Sequence, residues 1–174
     1  GGHAAPHNLF ADAAALWSGI PAGPPPALWP FRAAGTPPPA GQPVTQASYH
    51  FGGGVTAIRW VWEPESGTFA RWQNGTPHID TDWCQVKVEK VVVQLVDYVD
   101  SGVKDSAGGA IPEAALVGTG QAWVLSGGQA VEATWTRDTV EVVTTYTGPD
   151  GQPIAMAPGR TWVGSETLKA VRTP

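Results

Sequence analysis

The 174 residues carry a net charge of -5, and charged residues make up 14% of the chain against roughly 25% in an average soluble domain. The ten Lys and Arg are scattered with no two adjacent, which argues against nucleic acid and against docking on an anionic membrane surface. A single cysteine, Cys84, rules out an intrachain disulfide, and no apolar run reaches the length of a membrane-spanning helix. The 22 Gly and 17 Pro point to many turns and few exposed helices. The length suits one domain, or one domain plus an arm, with a core that needs no staples.

In chain order, the first predicted element is a short helix over Leu9–Trp17, capped by Asn8 and stopped by Gly19 and Pro21. Residues 21–43 hold nine of the prolines and exclude helix and central strand. Leu28, Trp29 and Phe31 lie between those prolines, so an arm laid against the domain is favoured over a proline-rich partner ligand. The division expected is 1–43 as helix and proline-rich arm, and 44–174 as a single mostly β domain.

From Val44 the pattern is strand, turn, strand. Val55–Trp62 and Thr68–Gln73 flank a five-residue turn, Glu63–Gly67, and Asn74-Gly75 marks a tight turn. Val86–Val99 is the longest apolar run, and its three consecutive valines suggest a strand buried on both faces. Residues 100–112 are expected to be a polar loop. Gln121–Leu125 and Val131–Thr136 form a hairpin through Gly127-Gly128, Val140–Thr147 follows, and a last strand covers Thr161–Val163. About eight to ten strands suggest an antiparallel sandwich or half-open barrel, with no internal repeat.

Several short motifs then fall in a recognisable order. They are Trp60-Val61-Trp62, Gly67 to Arg71, Gly75 to Asp80, Val91 to Gln94, Gly118-Thr119-Gly120 with Trp123, Thr134 to Arg137, and Pro158 to Trp162. The series resembles the YerB-like lipoprotein family, from about residue 6 to residue 164. Pro6-His7-Asn8-Leu9 is similar to the lead-in segment of actinobacterial members. The resemblance implies a bacterial lipoprotein or secreted protein, of which this chain would be the C-terminal domain and connecting arm, without the N-terminal domain that would be its first partner. It implies an extracytoplasmic location, secreted or lipid-anchored through a missing N-terminal segment. The family is one of unknown function, so no reaction follows. Members usually carry Asn just before the triple valine, where this chain has Lys90.

The first candidate site is His78 to Cys84. If extended, it sets His78, Asp80, Asp82 and Cys84 on one face, a donor set for a divalent metal. The competing and favoured reading is a polar loop in which the Asp side chains bond local amides. Neither a nucleophile elbow nor an activated-thiol signature occurs, and Gly52-Gly53-Gly54 and Gly118-Thr119-Gly120 read as bulges or tight bends rather than phosphate loops. Nine Trp are the second feature. Arg71, Arg137 and Arg160 each lie near one, and a shared Arg/Trp cleft would suit an anionic glycan, while the blander reading is Arg stacked on Trp as support.

The sequence therefore points to a non-enzymatic envelope module that contacts cell-wall polymer or an envelope protein, with no cofactor. Its tentative binding residues are Arg71, His78, Asp80, Trp135, Arg137, Arg160 and Trp162. The alternative is a metal-dependent or other hydrolase of cell-wall material centred on His78, Asp80 and Asp82. A third reading makes this half a scaffold for the missing domain.

Overall fold

The computed structural model describes residues 11–20, 23, 27–51 and 56–166. Its elements run α1 (Ala13–Ser18), β1 (Gln42–Pro43), β2 (Gln46–Phe51), β3 (Thr56–Glu63), β4 (Thr68–Gln73), β5 (Thr76–Pro77) and β6 (Lys87–Val88). They continue with β7 (Lys90–Leu95), β8 (Tyr98–Lys104), β9 (Ala110–Ala114), β10 (Gly118–Ser126), β11 (Gln129–Arg137), β12 (Thr145–Thr147) and β13 (Thr161–Glu166). The chain is mainly β, and its two larger sheets pack as a sandwich.

One sheet has the order β1-β11-β10-β7-β13, with β12 also on β11, and the other has β2-β3-β4-β5, with β6 also on β4. All pairs are antiparallel except β13 with β7, which is parallel. The chain crosses between the two larger sheets twice over a few residues, between β1 and β2 and between β6 and β7. Every residue of β7 is buried, as its triple valine requires of a strand covered on both faces.

Alternation along β7 builds two cores. Val91, Val93 and Leu95 face the second sheet and pack with Tyr49, Ile58, Trp60, Phe69 and Leu125. Val92 and Val96 point the other way, to Trp135, Tyr146, Ile154 and Met156. The proline-rich segment helps cover this outer core. Trp29 packs beside it, its indole Nε1 donating to Thr144 O at 2.9 Å. Arg32 donates to Ser126 Oγ at 2.8 Å and to Ala155 O at 3.0 Å. Phe31 bridges to Met156 but is half exposed, and Leu28 stays exposed, so Trp29 and Arg32 are the anchors rather than the three expected apolar residues.

Lys90 is fully buried at the start of β7. Its ammonium donates to Ala157 O at 2.6 Å and Gly159 O at 2.7 Å, and burial lowers its pKa. A buried cation persists when carbonyl oxygens accept its hydrogen bonds. At this position of the motif, the lysine ties down the loop that leads into β13.

Several local expectations are corrected. The Asn8 cap lies outside the described residues. The described helix starts at Ala13, capped by Asp12, whose Oδ1 accepts from Ala14 N at 2.8 Å and Ala15 N at 3.2 Å. Residues 100–112 are not a loop: β8 and β9 form a two-stranded ribbon with a turn at Asp105–Gly109. The loop before β4 has four residues, not five. Val140–Thr144 is not strand; only Thr145–Thr147 pairs, because Arg137 gathers the preceding carbonyls into a turn. Gly52-Gly53-Gly54 lies outside the described residues. Gly118 opens β10 and Gly120 lies within it, so that motif is strand rather than bend. A Cβ at Gly120 would meet the Trp135 indole at 2.6 Å, so glycine is what lets that ring lie on the strand.

Candidate functional site

Arg71 on β4 and Trp60 on β3 are cross-strand partners on the inward face of the second sheet. Trp162 on β13 meets them from the first sheet, its ring centroid 5.5 Å from that of Trp60. The Arg71 guanidinium carbon lies 4.7 Å from the Trp162 ring and 5.9 Å from Trp60, within the range of cation–π attraction. Its Nη1 donates to Gln73 Oε1 at 2.9 Å and contacts His78 Nδ1. Arg71 is only 7% exposed, and its Nε has no hydrogen-bond partner.

A guanidinium has only donors, so His78 accepts through a neutral Nδ1. Burial, and then the charge of Arg71, push the His78 pKa below its ordinary 6.5, which favours that state. The imidazole also meets Trp162 edge-on, with centroids 6.5 Å apart.

Beside this cluster opens a pocket of about 370 Å³, walled by Tyr49, Ile58, Arg71, Tyr98, Trp162 and Glu166. Alternation along β13 sends Trp162, Gly164 and Glu166 to one face. A Cβ at Gly164 would stand 2.9 Å from the Tyr49 hydroxyl, so glycine leaves room for that phenol. The phenol accepts from Trp60 Nε1 at 3.3 Å. Tyr98 donates to Ser165 O at 2.9 Å. Glu166 is 3% exposed, its Oε1 has no partner, and burial raises its pKa to about 7.

The other residues singled out in the sequence lie elsewhere. Trp135 is buried in the outer core, across the main sheet from Trp162, and donates to Leu95 O at 2.8 Å. Arg137 is taken up by the carbonyls of Thr139, Val140 and Val142. Arg160 is exposed, with its backbone amide on Glu89 Oε2 and its guanidinium 3.9 Å from the same carboxylate. The proposed shared cleft thus gathers Arg71, His78 and Trp162, and leaves out Trp135, Arg137 and Arg160.

The segment after His78 is not extended. Asp80 N donates to Cys84 O at 2.9 Å, and Asp80 Oδ1 accepts from Thr81 N at 2.7 Å. Asp82 Oδ1 accepts from Cys84 N at 3.0 Å, and Trp83 adopts a positive φ of 63°. The carboxylates serve the turn, and the single face expected of His78, Asp80, Asp82 and Cys84 does not form. Cys84 is exposed as a free thiol. No set of three His, Cys, Asp or Glu suited to a metal occurs among the described residues.

Tyr49, Tyr98 and Glu166 were missed in the sequence. Only the alternation Trp162, Gly164, Glu166 hinted at one of them, and the predicted strand stopped at Val163. Arg71 was paired in sequence with Trp72. Neighbours in a strand point to opposite faces, so Trp72 stacks on Arg59 instead, at 4.7 Å.

Residues 47–163 match the family model described as Protein of unknown function (DUF3048) C-terminal domain. No curated protein matches the chain. Among solved structures, the YerB protein from Bacillus subtilis is similar, with a TM-score of 0.60 at 14% identity. The match covers 79% of this chain and 43% of that one, so this chain spans less than half the length of its structural neighbour. Among the described residues, no helix is long and apolar enough to cross a membrane.

Proposed function

We propose a binding role for this chain, which belongs to the family described as protein of unknown function (DUF3048), C-terminal domain. It works outside the cytoplasm as a non-enzymatic module of the cell envelope, and the cleft at Arg71, His78 and Trp162 holds its ligand, a wall component. The observation that carries the site is the Arg71 guanidinium: buried, clamped by two indoles, and left with an unpartnered N–H at the pocket wall. A buried donor without a partner is rare in folded proteins and calls for an explanation. The location rests on the resemblance of the motif series to the YerB-like lipoprotein family. The hydrolase alternative gains no support, since Asp80 and Asp82 are engaged in their own turn.

The test is retention on purified, insoluble cell wall. Wild-type chain is expected to sediment with the wall, Arg71→Gln to lose most of that retention, and Arg160→Ala to keep it, with thermal melts showing that all three fold. A wild-type chain that stays in the supernatant, or an Arg71→Gln chain retained like wild type, overturns the proposal.

A further inference from the structure

The pocket beside Arg71 has two unanswered polar atoms of opposite kind. Arg71 Nε is a donor without an acceptor, and Glu166 Oε1 is a carboxyl oxygen without a donor. Both residues are more than nine-tenths buried, and both line the same wall-to-wall space. Among the described residues they form no ion pair with each other. Buried charges are ordinarily paired, since an unpaired one carries the full cost of desolvation. Two opposite groups that line one pocket without pairing instead define what a ligand must bring.

That ligand accepts from a guanidinium and donates to a carboxyl. A simple anion would satisfy Arg71 and repel Glu166, and a simple cation would do the reverse. A neutral polyol would leave both formal charges without a countercharge. A molecule with one carboxylate and one ammonium answers both at once. The pocket of about 370 Å³ is at the small end of ligand sites. Tyr49, Tyr98 and Trp162 give it aromatic walls, which suit an ammonium group.

We propose that the pocket between Arg71 and Glu166 binds a small zwitterion, with its carboxylate on the guanidinium and its ammonium on the Glu166 carboxyl. The class includes free amino acids and amino-acid heads displayed at the end of a wall-peptide side chain. This rests on the cleft being the ligand site proposed above, and it names the chemistry of the ligand.

Isothermal titration of the whole chain tests it. One arm uses glycine, β-alanine and γ-aminobutyrate, which step the spacing between the two charges. A second uses larger free α-amino acids, and a third a soluble wall peptide with a terminal amino-acid head. At least one zwitterion is expected to bind. Arg71→Gln and Glu166→Gln are each expected to weaken it about tenfold or more, the loss of one charge-assisted hydrogen bond. Binding is also expected to release protons near neutral pH. Burial holds the free Glu166 carboxyl at about 7, and a bound ammonium keeps it ionised. Arg71 is the charged residue on the same pocket, and Tyr49 and Tyr98 remain neutral phenols with pKa values raised above 10. Heats measured in buffers of different ionisation enthalpy read that release, which Glu166→Gln abolishes.

Binding by the free amino acids alone, or by the peptide-borne head alone, supports the proposal and identifies the source. Absence of heat for every zwitterion up to about 10 mM, where a Kd of about 1 mM would already show, overturns it. So does binding that survives both substitutions, or glycerol binding as tightly. Wall retention that depends on Arg71 while all zwitterions fail removes this inference and leaves the wall-binding role standing.

Discussion

The two faces of the main sheet each set an arginine against aromatic surroundings, with different results. On the outer face, Arg137 lies two residues beyond Trp135, and the turn that follows wraps three carbonyls around its guanidinium. On the inner face, Arg71 lies between Trp60 and Trp162, has side-chain partners among the described residues only at Nη1, and keeps a buried N–H unpartnered beside a pocket. The first arginine finishes a fold. The second leaves hydrogen-bonding capacity that the fold does not use. The lesson is that an Arg near a Trp in sequence carries little information until the neighbouring backbone is placed.

The contrast is open to direct tests. The largest effect is expected at the outer core: Trp135→Ala removes a buried indole and its bond to Leu95 O, and should cost about 3–5 kcal/mol in denaturant unfolding. Next is the pair of arginines. Arg137→Ala should cost on the order of 1–3 kcal/mol, because it removes the charge-assisted hydrogen bonds that hold the Thr139–Val142 turn. Arg71→Met should stay within about 1 kcal/mol, since exchanging an incompletely paired buried charge for an apolar side chain is often neutral or stabilising. Equal losses for the two would erase the distinction between a structural and a ligand-facing arginine.

The smallest effects concern pH. The folded Glu166 carboxyl titrates at about 7, above its ordinary 4.5. A raised pKa gives stability that is full below about pH 4.5 and lost as pH rises through about 7. Glu166→Gln should therefore match wild type in acid and melt several degrees higher above neutral pH. His78 runs the other way: its pKa is lowered from 6.5, so its contribution is present above that value and falls as the solution becomes more acid. His78→Gln should flatten that acid-side loss. Melting curves for the two variants that move together with pH would contradict these opposite assignments.

Much of the fold was legible because β signals are local. The triple valine of β7, the Asn74-Gly75 and Gly127-Gly128 turns, and the β3–β4 hairpin all followed from residue type and period-two alternation. The β8–β9 ribbon was less legible, since most of its residues are exposed and no buried face imposes alternation. The turn after Arg137 read as strand because its valines suit one, and only the guanidinium's reach to three carbonyls outweighs them.

For the site, the sequence by itself determined the ingredients: an arginine, a histidine and a tryptophan in motifs whose order resembles one family, with the family model now matched over residues 47–163. It set Arg71 beside Trp72, although strand neighbours point apart and the structure gives Trp72 to Arg59. Only the tertiary structure decided that Trp162 would cross to Arg71 from the other sheet, that Trp135 would face away, and that Glu166 would complete the pocket. The parallel pairing of β13 with β7 makes that decision. It joins segments about seventy residues apart, and the register between them is fixed by two buried faces rather than by any turn.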